Sequence, residues 1–142
     1  MLTTQETLVH RYYRDALNPG QLAILDELLD NGFIDHERLL QIPPTVDGLK
    51  QKYTLLRSGF SDLTFDINDL MVVADRVAVR LTVSGTHNGD FMGRPATGRR
   101  FAVASVGMTL VRMPPSSIVG EMPVRITALN TGIFSSTRAP RC

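Results

Sequence analysis

The chain has 142 residues, 43% of them hydrophobic, and a formal net charge of +1. That size suits one domain with a core of its own, and so even a charge balance supplies no global field for nucleic acid or a membrane surface. Its single cysteine, Cys142, excludes a disulfide framework or a cysteine metal site.

No stretch approaches the ~20 apolar residues of a membrane span. "MLTTQETLVHRYYRDAL" lacks the basic-then-apolar order of a secretory signal. The expectation is therefore a soluble, cytoplasmic protein with no membrane partner. Charge is uneven along the chain, since residues 91–142 hold seven Lys/Arg and Glu121 as their one carboxylate. The aromatics there are Phe91, Phe101 and Phe134, too few to stack a run of bases, so no nucleic-acid partner is expected.

In chain order, "TTQETLVHRYYRDAL" predicts a first helix, with threonines to cap it and an apolar stripe of Leu8, Val9, Tyr12, Tyr13 and Ala16. "NPGQLAILDELLDNG" predicts a second, with Asn18 as N-cap, Pro19 at the first position and Asn31-Gly32 as the stop. Val46, Leu49, Tyr53, Leu56 and Phe60 recur at helical spacing and define a third over 45–59. After Asp62 the period becomes two. "LTFDINDLMVV" and "VAVRLTVSGTH" read as strands joined by the turn "ADR", and "RFAVASVGMTLVRM" as a third. Beyond the turn "PPSS", "IVGEMPVRI" reads as a fourth strand, and residues 129–142 as a frayed tail. Helices followed by a meander predict one α+β domain over 1–142, three N-terminal helices packed on a curved antiparallel sheet. Such a cone offers a small-molecule pocket at its open end.

The run "VAVRLTVSGTHNGDFMGRPATGRRF" resembles the SnoaL-like polyketide cyclases, or ester cyclases, of the nuclear transport factor 2-like superfamily. "VDGLKQKYTLLRSGFSDLTFDINDLMVVADRVAVR" and "FIDH" are similar to that family too, so the resemblance spans about residues 5–119. Gly85-Thr86-His87, Gly89, Phe91, Gly93 and Thr97-Gly98 are its most specific part. It implies a cone-shaped sheet with three helices, often a homodimer. It also implies ring closure by intramolecular aldol chemistry without cofactor or metal. The last part departs from the pattern. Ile118-Val119 match, but Met122 stands where the family has tryptophan, and neither Pro123 nor Ile126 can be the acid/base aspartate. Divergence or a reading-frame change would each produce this.

Aldol chemistry needs a base for a proton α to a carbonyl and donors for the enolate oxygen. Three catalytic candidates follow. His36 matches a pocket histidine of the family, or is a surface histidine in a charged Asp-His-Glu-Arg run. Counting by twos from Val79 puts His87 on the apolar face, unless a bulge at Gly85 swaps the faces. Glu121 shares parity with Pro123 and is either a stand-in carboxylate or an exposed strand glutamate. Tyr12, Phe33, Tyr53 and Met108 are the expected ligand-binding lining. Histidines at 10, 36 and 87 have no metal-ligand spacing, "GDFMGRPATG" lacks the Gly-Lys-Ser/Thr ending of a phosphate loop, and no Gly-x-Ser-x-Gly elbow occurs. No cofactor is expected. The reading is a domain that binds a small, largely apolar molecule, with cofactor-free cyclisation or isomerisation as its chemistry. The alternative is a non-catalytic binding or dimerising domain that has lost the family aspartate.

Overall fold

The computed structural model describes residues 2–36, 41–111 and 125–133, the side chains of the last segment as far as Ala128. Helix α1 (Thr4–Arg11) begins in a capping box. The Thr3 hydroxyl accepts from the Glu6 N–H at 3.2 Å, and the Glu6 carboxylate accepts from the Thr3 N–H at 2.7 Å. Two otherwise orphaned donors are thereby satisfied. The chain then widens into a π-helical turn, Tyr12–Leu17, closed by the Asn18 N–H on the Tyr13 carbonyl at 2.9 Å. This wide turn buries Tyr12, Tyr13, Ala16 and Leu17 together. Asn18, expected to start a second helix, instead ends the first. Its side chain donates to the Phe65 carbonyl at 2.9 Å and accepts from the Phe65 N–H at 2.7 Å, fastening the turn to the sheet.

The second helix is far shorter than expected: a 3-10 turn (Leu22–Ile24) and α2 (Leu25–Leu28). Strand β1 (Leu29–Asp35) follows at once. Asn31-Gly32, expected as a helix stop, lies within it, where the pairing register shifts between Leu29 and Ile34. Burial alternates at its end, with Phe33 and Asp35 inside and Ile34 exposed. Tertiary pairing here overrides the local helical pattern. Helix α3 (Val46–Gly59) is as predicted, with Thr45 capping the Gly48 N–H at 3.2 Å and Leu49 and Tyr53 on the buried face.

Strands β2 (Thr64–Val73), β3 (Arg76–Thr86), β4 (Arg100–Val111) and β5 (Ile126–Ile133) complete a five-stranded sheet ordered β1-β5-β4-β3-β2. All neighbours are antiparallel except β1 and β5, which run parallel. The expected antiparallel sheet is thus corrected to a mixed one, because the segment read as the end of a helix supplies an edge strand. Residues 129–133, expected to be frayed, belong to β5 and pair with β4, Leu129 also with Asp35 of β1. Most of the predicted fourth strand and residues 134–142 lie outside the described residues. Val77, Val79, Leu81 and Val83 of β3 turn inward and are met by Leu8, Val9, Tyr12, Tyr13, Leu49 and Tyr53. The polar Ser105 and Thr109 of β4 are also buried.

Candidate functional site

Sequence pattern alone would make the interior between helices and sheet wholly apolar, and it is not. Asp35 ends β1, Lys52 lies one residue before Tyr53 on α3, and the two side chains meet at 2.6 Å while each is only 6% exposed. Burying an ion pair costs several kcal/mol of desolvation per ion, so such a pair is weak evidence for stability. Tyr53 and Tyr12 stand beside it with hydroxyl oxygens 3.3 Å apart. The Lys52 ammonium lies 5.6 Å from the centre of the Tyr53 ring. Burial first, then the neighbouring Tyr53 and Tyr13, the Tyr53 hydrogen bond and the Asp35 charge, hold the Tyr12 hydroxyl well above the usual tyrosine range. Tyr12 is therefore a hydrogen-bond donor that keeps its proton.

Aromatic rings surround the pair of hydroxyls. Tyr13 packs edge-on to Tyr12 at 4.8 Å, and Phe65 lies 5.9 Å from Tyr13 and 5.8 Å from Tyr53. Phe33 is buried on β1. Pairing across the sheet runs Asp35–Leu129–Thr109–Val77, so Asp35 shares its side of the sheet with Thr109. The Thr109 hydroxyl is buried without a hydrogen-bond partner among the described residues.

His87 occupies another part of the molecule, just past the end of β3. Pairing is regular through Gly85↔Phe101 and Thr86↔Arg100, so no bulge swaps the faces. Gly85 instead makes room for Phe101, whose ring would lie 3.2 Å from an added Cβ. The His87 ring packs 5.3 Å from Phe60, which also touches Phe91 and Phe101. Its Nδ1 is 3.1 Å from the Thr97 hydroxyl, and its Nε2 is buried with no partner among the described residues. The His87 ring thus meets the end of α3 and also bonds the connection to β4.

That connection is built on glycine. Asn88 and Gly89 donate their N–H groups to the Gly59 carbonyl at 3.1 Å, capping α3, and a Cβ on Gly89 would fall 2.0 Å from the Ser58 carbonyl oxygen. Phe91 and Arg94 pair around Met92 and Gly93, both with positive φ, as a tight hairpin turn demands. The Asp62 carboxylate accepts from the Thr86 N–H and hydroxyl at 2.7 and 2.8 Å, and these bonds lower its pKa.

The structure brings Tyr12, Tyr53 and Phe33 into one buried layer, but it does not gather the three catalytic candidates. His36 is exposed beside Asp35, His87 lies past the far end of β3, and Glu121 is outside the described residues. Met108, expected to line the pocket, is 43% exposed. It sits between the buried Gly107 and Thr109, so strand alternation turns it to the outer face with Val106. Asp35 and Lys52 were not expected. Lys52 carried a signal, since it shares a helical face with Leu49 and Leu56; Asp35 lay hidden because its segment read as helix and loop. Among the described residues no group of three or more His, Cys, Asp or Glu could hold a metal ion, and no helix is long and apolar enough to cross a membrane.

Helices closing one face of a mixed, curved sheet over a polar cluster define an α+β cone protein of the nuclear transport factor 2-like kind. The model of the SnoaL-like polyketide cyclases matches residues 7–121, and the chain belongs to that family. Among solved structures it is similar to IdmH of Streptomyces antibioticus, described as a candidate polyketide cyclase. TM-score is 0.73, identity 27%, and coverage 92% of each chain. TsrD of Streptomyces laurentii gives TM-score 0.72 at 22% identity over 94% of this chain and 91% of its own. AclR of Streptomyces galilaeus, described as a candidate hydroxylase, gives 0.70 at 20% over 92% and 74%. No curated protein sequence matches.

Proposed function

We propose that this protein binds a small, largely apolar carbonyl compound of polyketide type between helices and sheet, and moves protons on it without a cofactor. The observation that carries this reading is the buried Asp35–Lys52 pair beside the Tyr12–Tyr53 hydroxyls, inside aromatic walls. Aromatic rings supply apolar contact area, and protonated phenols are the donors a developing enolate oxygen needs. Family membership and the candidate cyclase IdmH support ring closure or isomerisation as the reaction class.

A second reading has its own support. β5 begins with the buried Ile126, and neither it nor Pro123 supplies the family's carboxylate, which fits a binding domain without chemistry. The homodimer implied by the family resemblance is likewise a proposal, and light scattering at twice 15.7 kDa would support it.

The deciding experiment incubates the protein in heavy water with acetophenone, 2-acetylnaphthalene and 2-acetylanthracene, flat apolar ketones with slowly exchanging methyl protons. Equilibrium dialysis reads binding, and mass spectrometry reads deuterium uptake. Uptake faster than in buffer supports acid/base chemistry. Binding without uptake favours the second reading, and the absence of both refutes the site.

A further inference from the structure

We infer that Asp35 is the general base of this site, working from β1 in place of a carboxylate on β5. The inference rests on the acid/base reading above and names the residue that performs it. It draws on topology first. β1 pairs parallel with β5, with Asp35 opposite Leu129 and Leu29 opposite Ile126. Strands in a sheet lie about 4.8 Å apart, so Asp35 stands one strand spacing from the β5 backbone at Leu129. Among the described residues Asp35 is the one buried carboxylate. Its side chain is 6% exposed, on the face opposite the exposed Ile34.

Its partner answers the obvious objection, that a carboxylate held by an ammonium is a poor base. In the step proposed, the Asp35 carboxylate takes the proton from the carbon α to a ketone. The C–H electron pair becomes the enolate double bond, and the carbonyl π pair moves onto oxygen. Asp35 ends neutral and the substrate carries the negative charge. Lys52 stays cationic throughout, so the attraction lost at Asp35 is regained at the enolate, and no net charge is created in the interior. Tyr12 and Tyr53, 3.3 Å apart at their oxygens, donate to the enolate oxygen.

The test uses the same ketones and the same two readouts. Asp35→Asn is expected to lower deuterium uptake by at least about 100-fold, the span usual for a general base, with probe affinity changed by less than about threefold. Asp35→Glu is expected to recover part of the uptake, which a purely structural role would not produce. Asn leaves the Lys52 ammonium unbalanced, so the double variant K52M/D35N, which carries neither charge, is measured beside it. Uptake at the wild-type rate in either folded variant overturns Asp35 as the base and leaves the acid/base function standing. Failure of the wild-type protein to bind or exchange any ketone overturns both, and the two failures are thereby told apart.

Discussion

Removing one member of the Asp35–Lys52 pair should destabilise the protein far more than removing both. Lys52→Met leaves a carboxylate inside the protein without its ammonium, and Asp35→Leu leaves the reverse. Both side chains are 6% exposed and 2.6 Å apart, so solvent screening gives little relief. Breaking such a pair from one side costs about 3–5 kcal/mol, whereas replacing both by apolar groups is often neutral. Domains of this kind are stable by about 5–15 kcal/mol, so each single variant loses a large share of the total. With a urea dependence of about 2 kcal/mol per molar, each midpoint falls by roughly 2 M, and that of K52M/D35L returns to within about 1 M of wild type. Urea unfolding followed by circular dichroism gives all four corners of the cycle. A coupling energy below about 1 kcal/mol, with the double variant as weak as the two losses added, would refute the claim that the pair is buried and mutually dependent.

Two further outcomes follow from the same core and its connections. Since Tyr12 is held protonated in the fold, its contribution to stability is complete below about pH 10, and is lost as pH rises through the ordinary tyrosine value toward the raised one. Alkaline titration followed by tyrosinate absorbance should show the wild-type protein and Tyr12→Phe gaining equal signal until unfolding; an extra tyrosinate in the folded wild type would contradict the burial. Gly89→Ala should cost about 1–3 kcal/mol in thermal melts because its Cβ meets the Ser58 carbonyl oxygen at 2.0 Å, while Gly85→Ala, facing a Phe101 ring at 3.2 Å, should cost less than about 1. Equal losses would show that α3 does not rest on that loop.

Periodicity revealed those elements whose burial follows a single rule. Val77, Val79, Leu81 and Val83 alternate cleanly because one face of β3 meets the helices and the other does not. Leu49 and Tyr53 mark α3 for the same reason. The rule failed where non-local pairing decides. Residues 29–35 join β5 across almost the whole chain, and nothing local distinguishes that strand from the end of a helix. Asn18 likewise has the chemistry of an N-cap, but its amide satisfies the Phe65 backbone instead. Met108 departs for a simpler reason: the inner face of β4 carries Ser105, Gly107 and Thr109, which turns Met108 outward.

The same logic explains why the histidines were legible and the ion pair was not. A histidine attracts notice by its rarity, yet His36 and His87 are held apart by the length of the sheet and cannot act on one atom together. Asp35 and Lys52 are ordinary residue types in a chain that is 20% charged, and only burial separates them from the rest. Burial of Asp35 depends on β1 being a strand, and that depends on β5. The family resemblance implies an aspartate where this chain reads Met122, Pro123 and Ile126, so its absence looks like a loss of chemistry when strands are considered one at a time. Taken as a sheet, β1 and β5 are neighbours, and β1 carries the buried carboxylate Asp35, paired with a cation and beside two tyrosine hydroxyls. A substitution series confined to residues 118–126 would therefore be expected to leave proton transfer intact, whereas one confined to Asp35 would not.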